Sequence, residues 1–154
     1  MPSLLVPLLL PILALQSQQL TATELSLGAA SALAHHTFIG GELGLARRTG
    51  NETRVALAVA AGSAASEPAM RAQLTLQLLV NPAARSGLGV YGGLGAAFAG
   101  RRGATGEGLV VVMLGLERTP GSPSGWYIEG GFAGGVRAAA GWRMRRFPGW
   151  WGKR

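Results

Sequence analysis

Met70-Arg71-Ala72-Gln73-Leu74-Thr75-Leu76-Gln77-Leu78-Leu79-Val80 is the stretch that decides the fold. Arg71, Gln73, Thr75 and Gln77 share one parity, while Ala72, Leu74, Leu76, Leu78 and Val80 share the other. Coiled as an α-helix, the four polar residues fall on two opposed sides and leave no apolar face. Extended, one side is wholly aliphatic and the other almost wholly polar. The stretch reads as a β-strand, and its length matches the roughly 9–11 residues that a tilted strand needs to cross a bilayer core.

Period-two segments of the same kind recur on both sides of it, with turn residues between them. Residues 20–33, 37–48 and 52–62 precede it, and residues 87–100, 107–118, 125–133 and 136–147 follow. Residues 63–69, with Pro68, read as a loop, as do residues 101–106 and the proline-rich stretch 119–124. Gly134-Gly135 fits a two-residue hairpin turn. Eight consecutive strands with brief connections predict an all-β protein, an antiparallel up-and-down barrel over residues 20–147 with a short basic aromatic tail at 148–154.

Ahead of the barrel, residues 4–15 form an apolar run broken by Pro7 and Pro11 and followed by Gln16-Ser17-Gln18-Gln19. The run is too short for a membrane-spanning helix and has the length of a secretory hydrophobic region. Residues 1–19 are therefore expected to be a signal peptide cleaved near Gln16–Gln19, although the start carries no Lys or Arg.

Composition narrows the class further. Only 14% of residues are charged, against roughly 25% in soluble domains, and the mean hydropathy is +0.28. Twenty-five glycines argue against a helical bundle. The absence of cysteine excludes disulfides, thiolate metal sites and cysteine nucleophiles. Net charge is +7, with thirteen arginines and one lysine, but these are dispersed along the chain rather than clustered among stacking aromatics, so nucleic acid is not an expected partner.

Which side of the barrel faces out follows from the polar parity. It consists mostly of Gly, Ala, Ser and Thr, too meagre for a solvated exterior. Facing inward, the same small residues and a few charges fill a narrow eight-strand lumen, while the aliphatic parity meets lipid. The inward set is Glu24, Glu42, Arg54, Arg71, Gln73, Gln77, Glu117, Glu129, Arg137, Arg143 and Arg145. Charges in so narrow a space must pair, so arginine–glutamate pairs that plug the lumen are expected rather than an open conduit. Aromatics fall at two levels, Phe38 and Phe98 near one rim and Trp126, Trp142, Phe147, Trp150 and Trp151 near the other, as in an interfacial belt.

A signal-like leader, eight amphipathic strands and a last strand ending Gly141-Trp142-Arg143-Met144-Arg145-Arg146-Phe147 resemble the small eight-stranded outer-membrane barrels of the OmpA/OmpX type. The resemblance is one of pattern over most of the chain. It implies the cell outer membrane as location, outer-membrane lipids as surroundings and the barrel assembly machinery as a partner that reads a terminal phenylalanine. Here Phe147 is followed by seven residues and shares parity with Arg143 and Arg145, so a bulge near Arg145–Arg146 is needed to turn it toward lipid.

Few residues suggest chemistry. His35-His36 lies in the first connection, where a lipid A-modifying barrel hydrolase would work, but no Asp occurs in the chain and no His-x-Ser constellation accompanies the pair. Arg101-Arg102, in a loop at the same end, suits lipopolysaccharide phosphates. Arg145-Arg146 and Lys153-Arg154 suit anionic headgroups at the opposite end. Phosphate-loop, EF-hand and metalloprotease spacings are absent, so no cofactor and no metal are expected. The sequence thus points to a non-enzymatic barrel with a structural or surface-interaction role in the cell envelope. A lipid A-modifying enzyme, a narrow conduit and a secreted soluble ligand-binding barrel are the alternatives.

Overall fold

The computed structural model describes residues 19–153. Residues 1–18 of the expected signal peptide, and Arg154, lie outside the described residues. Eight strands follow in order: β1 Ala22–Leu33, β2 Phe38–Arg48, β3 Thr53–Ala64, β4 Glu67–Leu79, β5 Leu88–Arg101, β6 Glu107–Arg118, β7 Ser124–Ala133 and β8 Val136–Arg146. Each pairs antiparallel with the next, and β8 pairs with β1 to close the barrel. A short 3-10 helix, Trp151–Lys153, ends the described chain. Among the described residues no helix is long and apolar enough to cross a membrane.

One connection departs from the sequence reading. Residues 63–69 are not a loop: β3 runs to Ala64 and β4 starts at Glu67, leaving a two-residue turn. Ala65 and Ser66 both take positive φ, 52° and 65°, the backbone of the type I′ turn whose twist matches paired strands. Pro68 sits inside β4 opposite Ser63, and the first residues of β4 have room there because its neighbour β5 reaches up only as far as Arg101 opposite Ala69. Gly134, at φ 71°, makes the expected tight turn between β7 and β8.

The two ends differ. At the hairpin end the connections are residues 34–37, 65–66, 102–106 and 134–135. At the terminal end they are residues 49–52, 80–87 and 119–123, together with the tail beyond β8.

Side chains alternate as the parity requires. Leu27, Leu43, Leu74, Leu94 and Leu114 point outward, with Leu114 68% exposed. Inward, Glu24 and Glu117 are 1% exposed and Arg48 and Arg54 are fully buried. Aliphatics cover the outside and charges fill the centre, the reverse of a soluble barrel, whose apolar residues converge inside. This distribution removes the soluble ligand-binding alternative. An exterior of this kind is stable only in a hydrocarbon solvent, because so broad an exposed apolar surface would drive association in water.

Candidate functional site

The lumen has two storeys, and the one nearer the terminal end is ionic. Glu117, from β6, stands at its centre. It accepts hydrogen bonds from Arg54 Nη1 at 3.2 Å, Arg143 Nη1 at 2.7 Å and Arg145 Nη2 at 2.7 Å, with Arg48 Nη2 at 4.0 Å. Glu24 accepts from Arg48 Nε at 2.5 Å and Arg54 Nη1 at 2.9 Å. Arg54 also donates to Gln77 Oε1 at 2.7 Å, and Gln77 Nε2 donates to Thr75 Oγ1 at 2.9 Å. Arg143 links this group to a second one. Its Nη2 lies 3.3 Å from Glu129, which also accepts from Tyr91 Oη at 2.7 Å and Arg137 Nη1 at 3.0 Å. Arg137 Nη2 reaches Glu42 at 2.6 Å.

Five guanidinium groups and four carboxylates are therefore joined in one contiguous set. Three of the five, on Arg137, Arg143 and Arg145, come from β8. Tyrosine rings fill the space between them: Arg54 lies 4.4 Å above Tyr91, and Arg143 lies 4.5 Å from Tyr127. Gly115 makes room for Tyr91, since a Cβ there would collide with its ring. A residual gap of about 20 Å³ beside Gln73, Tyr127 and Arg143 has room for about one water molecule.

The storey nearer the hairpin end is apolar. Ala30, Ala32, Phe38, Ala60, Ala64 and Ala139 pack together there, with Ala97, Val111 and Ala133 alongside. Above them the barrel opens into a mouth of about 350 Å³ lined by His35, His36, Phe38, Arg71 and Arg101 among others.

Several expected positions are corrected. Phe38 is 3% exposed and faces the lumen, not the membrane interface. It follows the parity of Glu42, which dictates its side whatever its hydrophobicity. Arg71 does not join the ion pairs. It sits higher on β4, donates to the Ala133 carbonyl at 2.5 Å and lies 6.0 Å from the Phe38 ring. No bulge interrupts β8, whose register with β1 is continuous from Val136 to Arg146. Phe147 therefore keeps the inward parity of Arg143 and Arg145, and it lies at the terminal end of the barrel with the Arg48 guanidinium 5.4 Å from its ring. Arg145 likewise faces inward, leaving Arg146 alone of that pair on the outside.

Trp151 is not a lipid-facing belt residue either. Its indole donates to the Gly121 carbonyl at 2.8 Å, its own carbonyl accepts from Arg85, and Arg85 lies 4.4 Å from its ring. Trp150 meets Trp151 edge to face at 5.8 Å. Trp126 and Trp142 are register partners on β7 and β8, and Trp142 and Phe98 are exposed on the outer wall.

Arg48 is a lumen residue that the expected set lacks. It donates to the carbonyls of Pro82 and Pro120, both at 2.8 Å, besides Glu24. Its parity with Glu42 and Ala46 is the signal that marks it. Pro120 is fully buried at the terminal end, where it fills the space over Gly89. No periodic signal marks a loop residue for such a place.

At the hairpin end, His35 and His36 are exposed and meet edge to face at 4.7 Å. Arg102 is exposed on the 102–106 connection, next to Arg101 at the end of β5. Among the described residues no group of three or more acidic or histidine side chains is arranged to hold a metal ion.

The N-terminal β-barrel domain of OprF from Pseudomonas aeruginosa superposes on the chain with a TM-score of 0.63 and 16% identity, over 81% of this chain and 97% of that one. The fold is that of a small outer-membrane barrel. Neisserial surface protein A matches with a TM-score of 0.47 and 15% identity, over 80% of this chain and 96% of that one. Of these two, only the first is similar enough in backbone to speak for the fold. No protein-family model and no curated protein matches the sequence.

Proposed function

We propose that this chain is a non-enzymatic outer-membrane barrel with a sealed lumen, contributing to envelope structure or to a surface interaction. The observation that carries this reading is the pairing of an aliphatic exterior with an interior filled by mutually neutralising arginines and glutamates. The barrel fold shared with the OprF domain supports the outer-membrane location. A continuous ion path would have to displace Glu117 or Glu24 from several guanidinium groups at once, and then pass the alanine–phenylalanine storey above.

Two contacts belong to the same reading. Arg101 and Arg102, at the hairpin end, suit phosphate groups of lipopolysaccharide through bidentate bonds. Insertion of a closed barrel of this kind calls for the barrel assembly machinery, although Phe147 does not face lipid as a terminal phenylalanine would.

The test has two arms. After fractionation, the protein should be found with outer membranes and migrate differently on gels before and after boiling. Reconstituted into planar bilayers, it should give no steady current. Recovery as a monodisperse species in plain buffer would refute the membrane assignment, and large stable currents would refute the seal.

A further inference from the structure

The lipid-facing wall is not evenly covered. Between β5, β6 and β7 it carries an apolar hollow of about 590 Å³, lined by Val90, Leu114, Leu116, Ile128 and Gly130. Its origin is local. Leu114 has a glycine as register partner on each side, Gly92 on β5 and Gly130 on β7. One step toward the terminal end, Leu116 stands between Val90 and Ile128. The space over Gly130 is open, since the nearest atom to a Cβ built there is the Arg137 carbonyl oxygen at 4.0 Å.

The same face of β6 continues from Leu114 and Leu116 to Arg118. Arg118 is exposed beside Leu88, and among the described residues no ion pair or side-chain hydrogen bond engages it. From Leu114 to Arg118 is four residues, about 13 Å along an extended strand. Trp126, on the neighbouring strand, stands at the same end of the wall as Arg118 and pairs with Trp142 on β8, which marks that level as the interface.

We propose that this hollow holds an acyl chain of an anionic phospholipid in the leaflet at the terminal end, with the lipid phosphate on Arg118. An unpaired guanidinium below an apolar slot matches the order of groups in such a lipid, a charged head on one end and hydrocarbon beyond it. Its planar fork binds two phosphate oxygens at once. A net negative headgroup leaves that attraction uncancelled, whereas a zwitterionic one offsets it with its own cation.

The experiment is native mass spectrometry of the folded barrel released from micelles doped with phosphatidylglycerol or phosphatidylcholine of equal chain length. The wild type should retain phosphatidylglycerol about fivefold better, the discrimination expected for one interfacial arginine. Arg118→Gln should bring the two lipids level. Gly130→Leu, which fills the hollow, should reduce retention of both. Leu116→Trp grows into the same space from β6 and serves if Gly130→Leu does not show the heat-modifiable shift of a folded barrel. Arg47→Gln, on the outer side of β2 at the terminal end, removes an equal charge elsewhere and should leave the preference intact. Equal retention of the two lipids by the wild type would overturn the proposal. So would a loss in Arg47→Gln as large as in Arg118→Gln, or unchanged binding when the hollow is filled.

Discussion

The two storeys of the lumen solve one problem in opposite ways. Near the terminal end the space is filled by ionised side chains whose positions are fixed by one another. Near the hairpin end it is filled by alanines and one phenylalanine whose positions are fixed by volume. In the ionic storey each group is needed because its neighbours are left charged and dry without it. In the apolar storey only the filled space matters, so the loss on substitution should scale with the cavity made.

The largest effect is expected at the centre of the ionic storey. Glu117→Gln leaves three buried arginines short of a counter-charge and should lower the stability of the folded barrel by about 3–5 kcal/mol, read from urea unfolding in lipid vesicles by tryptophan fluorescence. Phe38→Ala should come next, at about 3 kcal/mol in the same assay, because it empties the apolar storey without stranding a charge. A greater loss for Phe38→Ala than for Glu117→Gln would reverse the ranking of the storeys. Glu42→Gln should cost only about 1.5 kcal/mol, since Arg137 keeps Glu129 as a partner. At the bottom of the scale, the His35→Ala/His36→Ala double variant should change stability by no more than about 0.5 kcal/mol and leave lipid A acylation as it was, because both side chains stand outside either storey. Altered acylation in that variant would restore the enzymatic alternative.

Much of this was legible in residue order, and for one reason. A strand's side chains alternate strictly, so parity alone assigns the side of Leu74, Gln73, Glu117 or Arg143. Where parity and residue type disagreed, parity decided the side. Phe38 and Phe147 look like belt aromatics by their level along the strand, yet both share the parity of charged lumen residues. Arg48 carries the same signal at the end of β2. What order could not supply was which charges meet. Arg137 and Glu42 are 95 positions apart, and their contact depends on the stagger with which eight strands close. Nor could it supply the burial of Pro120 or the seat of Trp151 against Gly121, since connections carry no period to read.

The share of guanidinium groups carried by β8 has a consequence for biogenesis. Until that last strand docks, the ionic storey holds only Arg48 and Arg54 against Glu24, Glu42, Glu117 and Glu129, two more carboxylates than guanidinium groups. Zipping the seam against β1 supplies three guanidinium groups, which outnumber that excess by one, in the same motion that satisfies the edge hydrogen bonds. A barrel without β8 therefore carries unpaired carboxylates into hydrocarbon, a cost that the closed barrel does not meet.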